Sequence, residues 1–309
     1  MSSITIVVPT KDRLHLLKDC LLSIRAARLP KQHELIVIDS SNPSYAKKVE
    51  KMTKNCKGRY IYEEKRGAPY ARNRAIIESE NDIVAFVGDD CIVEKNWAVQ
   101  LLKNYRLPSV ACVTGRILSS RTLQGSSLER FSSHDRGATK RTWSVDATRL
   151  NILPLLRLGM SRRALKELAP FPWSFGSTDN ASFRRCVFET TGFFDTQNIT
   201  EDIDMFIRIF LTGFRLIYEP KAIVYHSYVQ TFEETAKKLY QYGLTDGTLM
   251  LKYARKPYFL VLFVGCLINS IYRIGETLLT SDKSSCYLQT CFVQGLCRSL
   301  HVRPLRGQD

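Results

Sequence analysis

Two carboxylate clusters lie far apart along this sequence, and each sits where a reacting group could be held. Phe86-Val87-Gly88-Asp89-Asp90-Cys91 places adjacent aspartates just past a run of buried-strand type. Hard divalent cations such as Mg2+ or Mn2+ take oxygen ligands, often one or two carboxylates together with substrate phosphates. A carboxylate pair at a strand end can therefore hold a metal-bound diphosphate, although paired aspartates also occur in loops that bind nothing. Thr200-Glu201-Asp202-Ile203-Asp204 opens a helical pattern. Three acids crowded together raise the proton affinity of at least one, which suits a general base. The same residues also meet plainer needs: Thr200 can cap, acids favour the helix dipole, and Asp204 can pair with Arg208 one turn on. His226 ends a strand-like run, and Arg72 follows Gly67-Ala68-Pro69 at a helix start, where an arginine can meet a phosphate. A lone residue of either type is more often packed or solvated than functional.

The elements that must position these groups alternate in type. Ile4–Val8 is a β-branched run that ends at Pro9, and Leu14, Leu17, Leu21 and Ile24 then recur at helical spacing until Pro30. Leu35–Ile38 reads as a second buried strand closing on Asp39, followed by a turn cluster, Ser40-Ser41-Asn42-Pro43. A helix over about Ala46–Thr53, a strand at Arg59–Tyr62, a helix over about Tyr70–Ser79 and the strand Ile83–Val87 complete the series. Such alternation predicts a mostly parallel sheet covered on both faces, with ligands at the carboxyl ends of its strands. Asp39 and Asp89-Asp90 fall at two such ends. Ile203, Phe206, Ile207, Phe210 and Leu211 trace one face of a helix stopped by Gly213, and Leu216–Tyr218 and Ala222–Tyr225 read as separate strands around Pro220.

A formal charge of +15 points to anionic partners and says little of fold. Much of the excess lies between Arg116 and Lys166, and the part of that segment up to about Asn151 is too long and too poor in hydrophobic period for an ordinary connection. Nine cysteines without a CxxC pair fit a reducing, cytoplasmic setting, and the strand pattern at the start predicts no signal peptide. Beyond Thr231 the pattern is helical. Tyr258–Tyr272 is strongly apolar, shorter than the roughly 20 residues that span a bilayer, and flanked by Lys252, Arg255, Lys256 and Arg273. It reads as an interfacial helix on the inner face of a membrane, or as a helix packed on protein.

Together the motifs from Ile4 to Tyr228 resemble, in order, the family 2 glycosyltransferases of the GT-A fold: α/β, a Rossmann-like mixed and mostly parallel sheet flanked by helices, here with a helical C-terminal tail. The resemblance implies that Pro9, Thr10 and Arg13, in Ile4-Thr5-Ile6-Val7-Val8-Pro9-Thr10-Lys11-Asp12-Arg13, line the donor nucleotide. It implies that Asp39 binds the base, that Arg72 lies near the diphosphate, and that Asp89 and Asp90 form the metal motif with Asp90 as ligand. Asp179-Asn180-Ala181-Ser182-Phe183-Arg184-Arg185 looks like the acceptor-side segment, in which Asn180 is the supporting residue; Asp202 of Glu201-Asp202 is the implied base, with Arg208 on the same helix. His226 in Val224-Tyr225-His226 can complete the metal site. The implied domains are a donor half, 1–115, an acceptor and catalytic half, 116–230, and a helical extension, 231–309. Two departures stand out: Gly88 replaces a further aspartate of many members, and the Gln-x-x-Arg-Trp signature of processive synthases is missing after His226, which argues for non-processive transfer.

The implied activity is inverting, Mg2+- or Mn2+-assisted transfer of a sugar from a nucleotide-sugar, first of all a UDP-sugar, to a glycan or lipid-linked acceptor. A non-catalytic glycosyltransferase-like binding or scaffold protein is the alternative, and Gly88 is its only support. Nucleic-acid binding is suggested by charge alone, with no recognised module and no stacking aromatics among the basic residues. A nucleotidyltransferase would carry a glycine-rich phosphate loop after the first strand, which Pro9-Thr10-Lys11-Asp12-Arg13 lacks.

Overall fold

The β-branched runs of the first third become β1 (Ile4–Thr10), β2 (His33–Asp39), β3 (Arg59–Tyr62) and β4 (Ile83–Val87), parallel neighbours in the order β3-β2-β1-β4. They are joined by α1 (Leu14–Ala26), α2 (Pro43–Asn55) and α3 (Ala68–Glu78). Nearly every side chain of β1 and β4 is buried, as expected where helices cover both faces. Leu17, Cys20, Leu21 and Ile24 of α1 face the sheet at spacings of three and four. Pro43 and Pro69 sit in the first turns of α2 and α3, where their fixed φ favours the helix and no N–H is missed. The computed structural model describes residues 3–120, 143–145, 176–197, 200–227, 231–253 and 283–299. The basic segment beyond Ser120, apart from 143–145, and the apolar run Tyr258–Tyr272 lie outside the described residues.

Five further strands extend the sheet: β5 (Cys91–Val93), β6 (Val110–Ser119), β7 (Trp143–Val145), β8 (Asn180–Arg184) and β9 (Arg215–His226). The order continues β4-β8-β6-β9-β5, with β7 also on β9. Strands β1 to β4, β6 and β9 point one way and β5, β7 and β8 the other, so the sheet is mixed and mostly parallel. Helices α4 (Trp97–Leu102), α5 (Val187–Thr191) and α6 (Glu201–Leu211) lie between these strands in sequence.

Alternate strand residues build two cores. Ile4, Ile6, Val8, Ile83, Ala85 and Val87 join α1 and Trp97 in one cluster. Phe86, in the opposite phase, meets Phe183 of β8 and Phe194, with ring centroids 5.8–5.9 Å apart. Phe206 of α6 stacks on Phe183 at 6.1 Å, which anchors the helix that begins with Glu201-Asp202.

The two strands expected around Pro220 are one strand. Pro220 has no N–H for a ladder, so the pairing with β6 steps from Gly115↔Glu219 directly to Arg116↔Ile223 while the chain stays extended. Asn180 fills the gap. Its amide donates to the carbonyls of Ala222 and Arg116, each at 2.9 Å, and accepts the Trp97 indole N–H at 2.7 Å. Gly115 is required there, because a Cβ would overlap both the Ala222 carbonyl oxygen and the Asn180 amide.

The chain divides into two compact units. The sheet unit is drawn from Met1–Leu150, Ser174–Thr196 and Glu201–Tyr228, and the second from Asn151–Trp173, Gln197–Thr200 and Val229–Asp309. In the second, α7 (Phe232–Tyr253) and α8 (Lys283–Ser299) pack backbone to backbone: a Cβ on Gly243 would overlap the Phe292 carbonyl. Among the described residues no helix is long and apolar enough to cross a membrane.

Candidate active site

Strand order decides where the chemistry gathers. The chain runs outward from β1 through β2 to β3, then returns to place β4 on the other side of β1. The loops leaving the carboxyl ends of β1 and β4 therefore part at a switch point, the usual place for a ligand in such sheets. Thr10 ends β1 and Asp89-Asp90 follow β4. Across the switch, Thr10 Oγ1 donates to Asp89 Oδ2 at 2.8 Å, and Arg13 Nη1 reaches Asp89 Oδ1 at 3.2 Å and Asp90 Oδ2 at 3.1 Å. Pro9 is half-buried in the same strand end. The loop after β1 is held by Asp12, in the left-handed region at φ 55°, whose carboxylate accepts the backbone and side-chain N–H groups of Asn42 at 2.8 and 3.1 Å. Asp39, fully buried at the end of β2, accepts the Ser41 N–H at 2.8 Å and the Tyr60 hydroxyl at 3.0 Å.

Three more elements deliver side chains to that edge. Strand β8 runs antiparallel to β4, so Asn180 pairs with Val87 and Asp179, just before it, stands beside Gly88. The Gly88 N–H points to the Asp179 carbonyl at 3.4 Å. Strand β9 ends in His226, whose Nε2 is 3.3 Å from Asp90 Oδ1. Donor atoms of Asp90, Cys91 and His226 all lie within 4.8 Å of one another. The first turn of α6 brings Glu201 and Asp202. Glu201 pairs with Arg72 of α3, both nearly buried, and Asp202 Oδ1 accepts the Ile203 N–H at 2.8 Å.

Asp179 links the two clusters. Its charge is felt by Arg13 and Cys91 on one side and by Asp202 on the other, and Asp202 also accepts a hydrogen bond from the Thr178 backbone. Residue types and spacing alone assign Asp179 no part in the site. The available signal was its place in a small-residue loop, Gly176-Ser177-Thr178-Asp179, entering a buried strand, the mirror image of Gly88-Asp89-Asp90 leaving one.

The carboxylates differ in proton affinity for physical reasons. Burial, then the neighbouring Asp90 charge, push Asp89 from 3.8 up to about 6, and Arg13 and Thr10 offset only part. Burial also pushes Asp90 up, but the His226 hydrogen bond and charge and the Arg13 charge outweigh it and hold Asp90 below the usual range. Burial raises Glu201 to about 7 against the pull of Arg72, with Asp202 adding repulsion. Asp202 is raised as well, by burial first.

Not every expected residue faces open space. Arg72 is paired with Glu201, and both are buried. Asn180 is spent on the β6/β9 gap described above. Arg208 binds Asp204 at 2.8 Å and the carbonyls of Thr191 and Gly192 that end α5, so it ties two helices together.

Residues 5–191, more than half of the chain, match the family model described as Glycosyl transferase family 2. The chain belongs to that family. A second model, Glycosyl transferase family group 2, matches residues 135–292 of this family 2 chain. Relatives include a pre-mycofactocin glycosyltransferase of Mycobacterium tuberculosis, 24% identical over 86% of this chain and 51% of its own length. Another is a poly-beta-1,6-N-acetyl-D-glucosamine synthase of Staphylococcus aureus, 22% identical over 85% of this chain and 61% of its own. The chain thus spans half to three fifths of the length of these relatives. Among solved structures, a mannosyltransferase from Pyrobaculum calidifontis in complex with GDP-Man and Mn2+ aligns with TM-score 0.63 and 16% identity over 97% of this chain and 87% of that one. GalNAc-T7 with UDP, GalNAc and Mn2+ aligns with TM-score 0.51 and 15% identity over 74% and 44%. The GT-A architecture expected from the sequence is the one observed.

Proposed function

We propose that this chain transfers a sugar from a nucleoside-diphosphate donor to an acceptor hydroxyl in one step, with inversion at the anomeric carbon. One observation carries the reading: Asp90 and Asp202, on different elements, both lie near Asp179, Asp90 across Gly88 and Asp202 within reach of its charge.

Asp202 is the base. Its carboxylate is oriented by the Ile203 and Thr178 N–H groups, and its raised proton affinity favours taking the acceptor hydroxyl proton as the oxygen attacks. The new carbon–oxygen bond forms as the bond to the diphosphate breaks, and the nucleoside diphosphate leaves. Arg72 acts through Glu201, holding a buried carboxylate pair beside the reacting centre. Arg13, with half its side chain exposed, is free to turn toward a phosphate. Pro9, Thr10 and Asp39 line the nucleotide side.

Asp90 and His226 fit a divalent ion, Mg2+ or Mn2+. One carboxylate and one imidazole, 3.3 Å apart, are a donor set that such an ion takes. When bound, such an ion would offset the charge developing on the diphosphate. The two solved structures above contain GDP-Man or UDP, each with Mn2+, which supports a nucleotide-sugar donor, with a UDP-sugar as first choice. The relative that makes poly-N-acetylglucosamine supports a glycan or lipid-linked acceptor. Residues 1–115 would serve the donor, 116–230 the acceptor and catalysis, and the helical extension a peripheral place on the inner membrane face.

A thermal-shift screen of nucleotide-sugars with and without Mn2+ identifies the donor, since a true ligand stabilises the fold by mass action. Asp202→Asn is expected to keep that shift and to lose transfer. Near wild-type turnover in this variant ends the assignment of the base.

A further inference from the structure

We propose that the Cys91 thiol is a third donor beside Asp90 and His226, so that the site takes a borderline divalent ion such as Co2+ or Zn2+ in preference to Mg2+. The proposal rests on the reading of Asp90 and His226 as metal ligands and adds a ligand that sets which metal binds.

The sheet register builds the arrangement. Cys91 and His226 are direct partners in the antiparallel β5/β9 pair, so their side chains leave the same face as neighbours. Asp90, one residue earlier, turns its Oδ1 to within 3.3 Å of His226 Nε2 and 3.8 Å of Cys91 Sγ. Donors on one tetrahedral ion, with metal–sulfur bonds of about 2.3 Å and metal–nitrogen or –oxygen bonds of about 2.0–2.1 Å, stand roughly 3.3–3.7 Å apart. The two distances from Asp90 are close to that, and all three donors lie within 4.8 Å of one another.

Gly88 keeps room for the ion. A Cβ at this position would stand 2.8 Å from Asp90 Oδ1, 3.1 Å from Asp179 Oδ1 and 3.2 Å from Cys91 Sγ, crowding two of the three donors. Its backbone is outside the left-handed region, so conformation does not require glycine there, and space does. Cys91 is fully buried, and its proton leaves to solvent as the metal–sulfur bond forms, with no change of oxidation state. Sulfur, nitrogen and oxygen together suit Co2+ and Zn2+; Mg2+ gains nothing from a thiolate.

The test uses the full chain, stripped with a chelator and titrated with Co2+ while the absorption spectrum is recorded. Visible ligand-field bands and a near-ultraviolet thiolate-to-cobalt charge-transfer band are expected at one ion per chain. Cys91→Ser should keep the visible bands, lose the near-ultraviolet band, and bind Zn2+ roughly tenfold more weakly with Mg2+ affinity within about twofold. Gly88→Ala should weaken Co2+ binding while the far-ultraviolet circular dichroism spectrum stays that of the wild type, which separates loss of space from loss of fold. Co2+ binding that depends on Asp90, shown by its loss in Asp90→Asn, but without the near-ultraviolet band overturns the thiol assignment alone. A band that persists in Cys91→Ser overturns it equally. Failure of Co2+, Zn2+ and Mn2+ all to bind removes the metal reading and this proposal with it.

Discussion

Metal-free protein is predicted to lose stability as the pH rises through the range where Asp89 ionises. The carboxyl is nearly buried and lies beside Asp90, and its pKa is pushed from 3.8 to about 6. The native state therefore holds the proton more tightly than the unfolded chain does. The stabilisation is full below about pH 4 and is lost as the pH passes about 6. At 1.36 kcal/mol per pH unit, the interval from 3.8 to about 6 is worth about 3 kcal/mol, a sizeable part of the stability of a domain. The assay is urea unfolding of chelated protein at several pH values between about 4 and 8, for wild type and Asp89→Asn. Urea is chosen because an ionic denaturant would screen the Asp89–Asp90 repulsion that contributes to the shift. Glu201, raised from 4.5 to about 7, adds a fall of the same sign between those values, so the two falls overlap up to about pH 6 and the variant removes only the Asp89 share. Asp89→Asn should flatten the profile below about pH 4.5, roughly halve its slope from there to about pH 6, and leave the fall between about 6 and 7. A wild-type profile that is flat over this range, or an identical fall in Asp89→Asn, refutes the electrostatic reasoning.

Other expectations follow from single contacts. Gly115→Ala should cost about 2–4 kcal/mol in urea unfolding, because the new methyl overlaps the Ala222 carbonyl and the Asn180 amide in a fully buried gap. Trp97→Phe should cost about 1–3 kcal/mol by the same measurement, since it leaves one buried Asn180 acceptor without its indole donor. Arg72→Met removes the charge that lowers the proton affinity of both Glu201 and Asp202. With Asp202 as base, the acidic limb of its pH–rate profile should move to higher pH, whereas a purely structural role for Arg72 would lower the rate at every pH alike.

Much of the sheet was legible because its strands are long and buried on both faces. Ile4–Val8, Leu35–Ile38 and Ile83–Val87 leave little choice of element, and helical spacing from Leu14 to Ile24 fixes what lies between the first two. The amphipathic face from Ile203 to Leu211 was equally plain. The three-residue strand β5 was not legible, although the four-residue Arg59–Tyr62 was. Three residues, Cys91–Val93, are too few for an alternation to declare itself, and Pro220 argued for a break that the sheet absorbs by skipping the pairing around it.

The site divides along the same line. Residue types and local order marked Asp89-Asp90, Glu201-Asp202, Arg72 and His226 as candidates, because the chemistry of a carboxylate at a strand end or a helix start is a local property. What the sequence could not determine was which of them meet. That depended on β8 running antiparallel beside β4, which sets Asp179 between the two acidic clusters, and on β9 pairing with β5, which sets His226 beside Asp90 and Cys91. Proton affinities were decided there too: Asp89 and Asp90 are neighbours of one type, yet one is raised and the other lowered. Burial and the direction of a single imidazole make that difference, and both belong to the folded chain.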